Sequence, residues 1–148
     1  MFRGETSVEI NENLDKVYEI SRKDMVKIIS KLRPEVAVLE EKDDYILMRI
    51  SDYVSGKKFT WDLKTSYDDN KKTITHIQTE GTIKGLVAIW YFKEISEDST
   101  QILCVHEFIF KNVPIFRNFI SRLIYKLQIK PVVDELFDMI KKEAERNA

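Results

Sequence analysis

The sequence has very few residues that bind metals or form disulfides: among its 148 residues are one cysteine, Cys104, and two histidines, His76 and His106. A single cysteine cannot form a disulfide within the chain, and these three residues lack the spacing of a structural zinc site. A catalytic cysteine needs an activating base beside it, which the sequence does not place, so Cys104 is predicted to be a small core residue. We therefore expect no metal, no cofactor and no catalytic residue.

Glycine and proline are also scarce, with four and three residues. This scarcity excludes a long flexible linker or a low-complexity segment. The hydrophobic fraction of 43% and the charged fraction of 33% are typical of a globular protein. A chain of this length buries about 70% of the surface that its unfolded form exposes, so we expect one domain over residues 1–148.

No excess of either charge is present, because 24 basic residues face 25 acidic ones. A net charge of −1 provides no general attraction for nucleic acid, and direct nucleic-acid binding is not expected. The sequence contains no run of 18 apolar residues, and Met1 to Glu5 lack the pattern of a signal peptide. The expectation is a cytoplasmic protein with no transmembrane segment. The oligomeric state is left open.

The first third of the chain predicts one strand and two short helices. Residues Glu5 to Ile10 alternate polar and apolar side chains, which favours a strand, and Asn11 or Asn13 then caps a helix. A second amphipathic helix is predicted from about Asp24 to Leu32. It ends there because Pro34 disfavours helix in the residue before it.

The middle of the chain, from Glu35 to Lys111, changes to the two-residue period of strands. Turn signals divide it into six strands, and short turns require antiparallel neighbours. With the first strand this predicts an α+β fold with a seven-stranded curved antiparallel sheet. The turn signals are Lys42-Asp43-Asp44, Val54-Ser55-Gly56, Asp68-Asp69-Asn70, Gly81 to Gly85 and Glu97-Asp98-Ser99.

The last element is predicted as a long helix from Pro114 to Glu145, with Asn112 as its cap. It would be about 48 Å long, whereas a ten-residue strand spans about 33 Å. Proline removes a helical hydrogen bond and clashes with the preceding turn, so a kink is predicted at Pro131. The apolar stripe also shifts there by about one residue: Phe116, Phe119, Ile120, Leu123, Ile124 and Leu127 come before it, and Val133, Leu136, Ile140 and Ala144 after it.

Alternation within the strands predicts which side chains share the concave face. The third strand offers Ile46, Met48 and Ile50. For the fifth strand two phases stay open, Ile74 with His76 and Gln78, or Thr75 with Ile77. The other concave sets are Phe59, Trp61, Leu63 and Tyr67; Leu86, Ala88, Trp90 and Phe92; and Ile102, Cys104, His106, Phe108 and Phe110. One helix does not easily fill a curved sheet lined by such rings, so the residues leave open both an apolar cavity and an ordinary packed core.

The stretch Gly81-Thr82-Ile83-Lys84-Gly85-Leu86, then Trp90-Tyr91-Phe92, and the later Phe108-Ile109-Phe110-Lys111 resemble the coenzyme Q-binding and polyketide cyclase-like branch of the START-related superfamily. The resemblance covers the whole chain and implies a helix-grip fold, in which the sheet wraps the long C-terminal helix. It also implies a lipid, quinone or polyketide between sheet and helix. The chain departs from the family pattern at Met25 to Ile29, at Cys104 and at His106.

The predicted ligand contacts combine the concave face with the first half of the last helix. His106 is their main polar member, and its alternative role is that of a core histidine. The loop Gly81 to Gly85 is expected to flank the entrance. The predicted contacts are Phe59, Trp61, Leu63, Leu86, Trp90, Phe92, His106, Phe108, Phe119 and Leu123.

The preferred functional hypothesis is a non-catalytic binder or carrier of a hydrophobic small molecule. A polyketide cyclase or dehydratase-like enzyme is the first alternative, with His106 or His76 as acid or base. It is less favoured because the sequence shows no nucleophile with a base, no carboxylate pair and no phosphate loop. The second alternative is a protein-interaction module like the ribosome-associated toxin in the same superfamily.

Overall fold

The computed structural model describes residues 1–33, 35–108 and 115–146. Its centre is one antiparallel sheet with the strand order β1-β7-β6-β5-β4-β3-β2, so the predicted seven-stranded curved sheet is confirmed. Asn112 and Pro114, predicted to start the last helix, lie outside the described residues. The strands are β1 (Phe2–Ile10), β2 (Glu35–Glu41), β3 (Tyr45–Val54), β4 (Lys57–Asp68), β5 (Thr73–Glu80), β6 (Val87–Ser96) and β7 (Ser99–Phe108).

The two predicted short helices are present between β1 and β2. Helix α1 spans Leu14–Lys23, and of its two candidate caps the structure uses Asn13, whose side chain accepts a hydrogen bond from the Lys16 backbone N–H at 2.9 Å. Helix α2 spans Met25–Leu32 and ends with extended backbone at Arg33. Both helices bury their apolar stripes against the sheet, as amphipathic helices do.

The C-terminal helix is continuous, but it changes its winding in the middle. Helix α3 (Arg117–Ile124) passes through a π turn (Tyr125–Ile129) into α4 (Lys130–Glu145). In a regular α-helix, residues about seven positions apart lie on the same side, because two turns take about seven residues. Tyr125 and Val133 are both buried, but they lie eight positions apart. The π turn absorbs the extra residue, whereas the shift of the apolar stripe and the bend at Pro131 stay predictions.

The core lies between the concave face of the sheet and helices α1, α2 and α4. Trp90 packs edge-on against Phe137 with ring centroids 5.0 Å apart, and Phe92 does the same with Tyr18 at 5.1 Å. Each fully buried side chain of this size contributes about 1.5–3 kcal/mol. The interior near Trp90 is therefore filled by aromatic rings.

Helix α3 turns Ser121 towards the sheet, and it leaves Phe119 and Leu123, two of the predicted ligand contacts, exposed on its other side. Ser121 and Tyr125 are buried, and the Tyr125 hydroxyl lies 2.7 Å from the Thr6 hydroxyl. The Tyr125 ring fits over Gly4, where an added Cβ would lie 2.5 Å from Tyr125 Cζ. This close fit and the hydrogen bond fix the rotation of the helix, and they leave Phe119 on its outer side.

Candidate functional site

The pairing of β5 settles which of its faces points into the interior. His76 lies opposite Thr65 on β4 and opposite Ala88 on β6, and Ala88 lies opposite His106 on β7. Because directly paired residues share a face, both histidines point to the concave side. The structure therefore selects the phase with Ile74, His76 and Gln78 inside, and all three side chains are buried.

His76 has one bonded and one unpartnered ring nitrogen. Its Nδ1 lies 2.7 Å from the Thr65 hydroxyl, whereas its Nε2 has no hydrogen-bond partner. The ring packs edge-on against Trp90 with centroids 4.8 Å apart. Burial, and less strongly the charge of His106, lower the pKa of His76 to about 3. The imidazole is neutral at physiological pH and keeps one unused donor or acceptor.

His106 lies in the same row of the sheet and is almost as enclosed. Its ring packs 5.4 Å from the Tyr125 ring, and its nitrogens lie 3.5 and 3.8 Å from the Cys104 sulfur. Burial lowers the pKa of His106 to about 4. Cys104 is fully buried in the core, as predicted, and burial raises the pKa of its thiol.

Thr65, His76 and His106 form what we call the buried polar row. Ala88 is the only residue between the two histidines, and neighbouring strands lie about 4.8 Å apart, so the two histidine backbones are about 10 Å apart. Ala88 contributes only a small side chain between the two rings. The row places hydrogen-bonding nitrogen and oxygen atoms inside an otherwise apolar interior.

An apolar cleft opens between α2, the β3–β4 hairpin and α4. Its volume is about 100 Å³, which is small compared with the roughly 300–1,000 Å³ of typical ligand pockets. Two of the predicted contacts, Trp61 and Leu63, form its wall on the sheet side. The cleft is lined by Ile29, Leu32, Arg33, Ile50, Trp61, Leu63, Val132 and Leu136.

Gln78 makes two hydrogen bonds to the loop that is predicted to flank the entrance. The Gln78 side chain accepts a hydrogen bond from the Ile83 backbone N–H at 2.8 Å, and its backbone N–H donates to the Leu86 carbonyl at 2.9 Å. Gly81 and Gly85 both adopt positive φ angles, which favour glycine. The loop is thus well fixed, and its place at an entrance stays a prediction.

The remaining predicted contacts fall into two groups. Trp90, Phe92, His106 and Phe108 are buried in the interior, and Leu86 is half-buried beside β6. Phe59, at the end of β4, and Phe119 and Leu123, on the outer side of α3, are exposed. A role of these residues in ligand binding stays a prediction.

Three members of the site were not found from the sequence. Thr65 and Thr6 look like ordinary polar strand residues, and Tyr125 belongs to neither predicted apolar stripe. The available signal was the spacing of Ser121 and Tyr125, which are four residues apart and therefore share a helix face. Within the part of the chain that the structure describes, no three His, Cys, Asp or Glu side chains are grouped to hold a metal ion.

Comparison with known proteins gives matches in structure only, since no family model and no curated protein sequence matches the chain. The ZhuI aromatase/cyclase from Streptomyces sp. R1128 superposes with a TM-score of 0.81 at 20% identity, over 98% of this chain and 94% of that one. Norcoclaurine synthase from Thalictrum flavum superposes with a TM-score of 0.79 at 13% identity, over 99% and 88%.

A START superfamily protein from Mycobacterium smegmatis aligns over 99% of both chains, with a TM-score of 0.70 and 12% identity. Identities this low show a shared fold. Together with the curved sheet, the two short helices after β1 and the long C-terminal helix, these matches show that the chain has the helix-grip fold of START-related proteins.

Proposed function

We propose that this protein binds a hydrophobic small molecule between the sheet and the C-terminal helix, with one polar group of the ligand at the buried polar row. The observation that carries the proposal is the unpartnered Nε2 of His76 in the apolar interior. A buried nitrogen without a partner costs about 1–3 kcal/mol. A ligand hydroxyl or carbonyl that bonds this nitrogen recovers that free energy.

The cleft lies on the same face of β4 as the buried polar row. Trp61, Leu63 and Thr65 share this face, and four residues of strand span about 13 Å. A ligand seated against Trp61 and directed along β4 would therefore reach Thr65 and His76 only if the packed side chains between the cleft and the row separated. The present cleft is too small for a large ligand, so binding of a quinone-sized molecule requires α4 to move away from the sheet.

The similar structures agree with a small aromatic ligand. The norcoclaurine synthase structure contains dopamine and hydroxybenzaldehyde, which are aromatic compounds with hydroxyl groups. The ZhuI protein is an aromatase/cyclase. Flat aromatic ligands suit a cleft walled by an indole ring, because offset and edge-on ring contacts are favourable.

The two tryptophans allow a direct test, since Trp61 lines the cleft and Trp90 lies beside His76. The variants Trp61→Phe and Trp90→Phe each leave one fluorescent indole, and both are titrated with decylubiquinone and with 4-hydroxybenzaldehyde. We expect saturable quenching of both indoles by at least one compound. If neither indole responds to either compound, the proposal fails; if only Trp61 responds, the ligand does not reach the buried polar row.

Removing the polar row should weaken binding and leave the fold intact. The double variant Thr65→Val/His76→Phe removes both groups that form the 2.7 Å hydrogen bond, so no polar group is left without its partner. It also keeps an aromatic ring against Trp90. Replacing both partners by apolar groups is close to neutral for stability, whereas the loss of one ligand hydrogen bond weakens affinity about tenfold. Fluorescence titration measures the affinity, and urea unfolding measures the stability.

The matched control is the double variant Ser51→Ala/Thr60→Val. It removes a similar hydrogen bond, 2.9 Å between the two hydroxyls, from the opposite face of the sheet in the neighbouring β3–β4 hairpin. Its ligand affinity should equal that of the parent protein. Equal affinity of the Thr65→Val/His76→Phe variant would contradict the role of the polar row.

Binding is favoured over catalysis by the chemistry of His76. A general base works best when its pKa is near the operating pH, and burial holds the pKa of His76 at about 3. Such an imidazole accepts a hydrogen bond readily but takes up a proton with difficulty. A cyclase-like reaction therefore needs a bound ligand that raises this pKa.

A further inference from the structure

Four large apolar side chains are exposed at the start and on the outer side of the C-terminal helix. Phe116, Phe119, Leu123 and Leu127 are 72%, 58%, 38% and 69% exposed, and we call them the outer stripe. The spacing of four residues places Phe119, Leu123 and Leu127 along one side of the helix, and Phe116 precedes them as the N-cap. Single exposed apolar residues are normal, whereas a continuous stripe of this kind marks an interaction surface.

The charges around the outer stripe have one sign. Between Glu107 and Asp134 the sequence contains no acidic residue and five basic ones. Arg122 and Lys126 are exposed and lie next to Leu123 and Leu127. Among the residues that the structure describes, neither has an ion-pair partner, whereas Lys130 pairs with Asp134 at 3.0 Å. The five basic residues are Lys111, Arg117, Arg122, Lys126 and Lys130.

The surroundings of Ile95 on β6 are different: its side chain is 48% exposed, but Glu94 and Glu97 lie close to it in the chain. The chain as a whole carries a charge of only −1. In the outer stripe, exposed phenylalanine and leucine side chains lie beside the positive charges of Arg122 and Lys126, which is the pattern of a helix that lies in a membrane interface.

We propose that the outer stripe docks on an anionic lipid bilayer. The four apolar side chains enter the boundary between headgroups and acyl chains, while Arg122 and Lys126 contact lipid phosphates. No helix in residues 1–33, 35–108 and 115–146 is long and apolar enough to span a bilayer, so the contact is peripheral. A second copy fits less well, because a two-fold contact would bring Arg122 and Lys126 of both copies together.

The test measures sedimentation of the full chain with vesicles of phosphatidylcholine alone, and with vesicles of phosphatidylcholine and phosphatidylglycerol in equal parts. We expect binding to the anionic vesicles only, and weaker binding as salt is added. Arg122→Gln and Lys126→Gln should each weaken binding about fivefold, because one basic residue near such a surface is worth about 1 kcal/mol. Phe119→Ser/Leu127→Ser should weaken it at least about tenfold.

Matched controls are Lys93→Gln and Ile95→Ser, which change an exposed lysine and an exposed isoleucine on β6. Both should bind anionic vesicles like the parent protein. The proposal is overturned if the parent protein does not bind anionic vesicles or binds both vesicle types equally. It is also overturned if the variants of the outer stripe bind anionic vesicles as strongly as the control variants do. It is also overturned if size-exclusion chromatography shows a dimer that Phe119→Ser/Leu127→Ser dissociates while vesicle binding is unchanged.

Discussion

Lowering the pH from about 7 to about 5 should lower the free energy of unfolding by several kcal/mol. Burial lowers the folded-state pKa of His76 to about 3 and that of His106 to about 4, from 6.5 in an exposed imidazole. The unfolded chain therefore binds protons that the folded chain does not bind. The stabilisation is fully present above about pH 6.5 and is lost as the pH falls from there towards 4.

The slope follows from the number of protons involved. Each buried histidine contributes about 1.4 kcal/mol per pH unit once its unfolded form is protonated, and the pair contributes about twice that value. Thr65 and Cys104, which contact the two imidazoles, carry no charge in this pH range, because a threonine hydroxyl does not ionise there and burial raises the pKa of the thiol. The carboxylates with lowered pKa, such as Asp62 and Asp69, affect stability mainly below about pH 4.

Urea unfolding at half-unit steps of pH measures this dependence. The Thr65→Val/His76→Phe variant should show about half the slope of the parent protein, because it retains only His106. Adding His106→Leu should remove most of the remaining slope. A triple variant with the parent's slope would show that the two histidines do not cause it.

Truncating the Phe137 side chain should strongly destabilise the folded protein. Its ring is almost fully buried and packs edge-on against Trp90 at 5.0 Å. Phe137→Ala loses the buried ring and leaves a cavity, which together cost about 3–5 kcal/mol. Denaturant or thermal unfolding should show a cooperative transition at much lower denaturant concentration or temperature.

The neighbouring residue provides the control for this prediction. Leu136 is half-buried and lines the cleft, where water can replace a lost side chain. Leu136→Ala should cost clearly less than Phe137→Ala and should also change ligand affinity. Equal losses for the two variants would contradict the distinction between a packed interior and an open cleft.

Most of the fold followed from periodicity in the sequence. The alternation along β3, β4, β6 and β7 predicted the concave face, and the short turns predicted antiparallel pairing. These features depend on local pattern, which a sequence shows directly.

The rest depends on contacts between residues far apart in the chain. The phase of β5 was ambiguous because both of its faces carry one isoleucine, and pairing with Thr65 and Ala88 settles it. The rotation of α3 was predicted from its apolar residues, whereas the fit of Tyr125 over Gly4 decides it. Likewise, the sequence does not show that Trp90 and Phe137 fill the space where a wider cavity was expected.

The extra residue in the π turn also allows the orientation of α3 to change during evolution independently of the orientation of α4. Because the turn absorbs one position, α3 and α4 face the sheet with different registers along one continuous helix. Loss of one residue from Tyr125–Ile129 would restore regular winding and rotate α3 by about 100° relative to α4. A single-codon deletion thus offers related proteins a route to turn a different side of α3 towards the sheet while α4 keeps its place in the core.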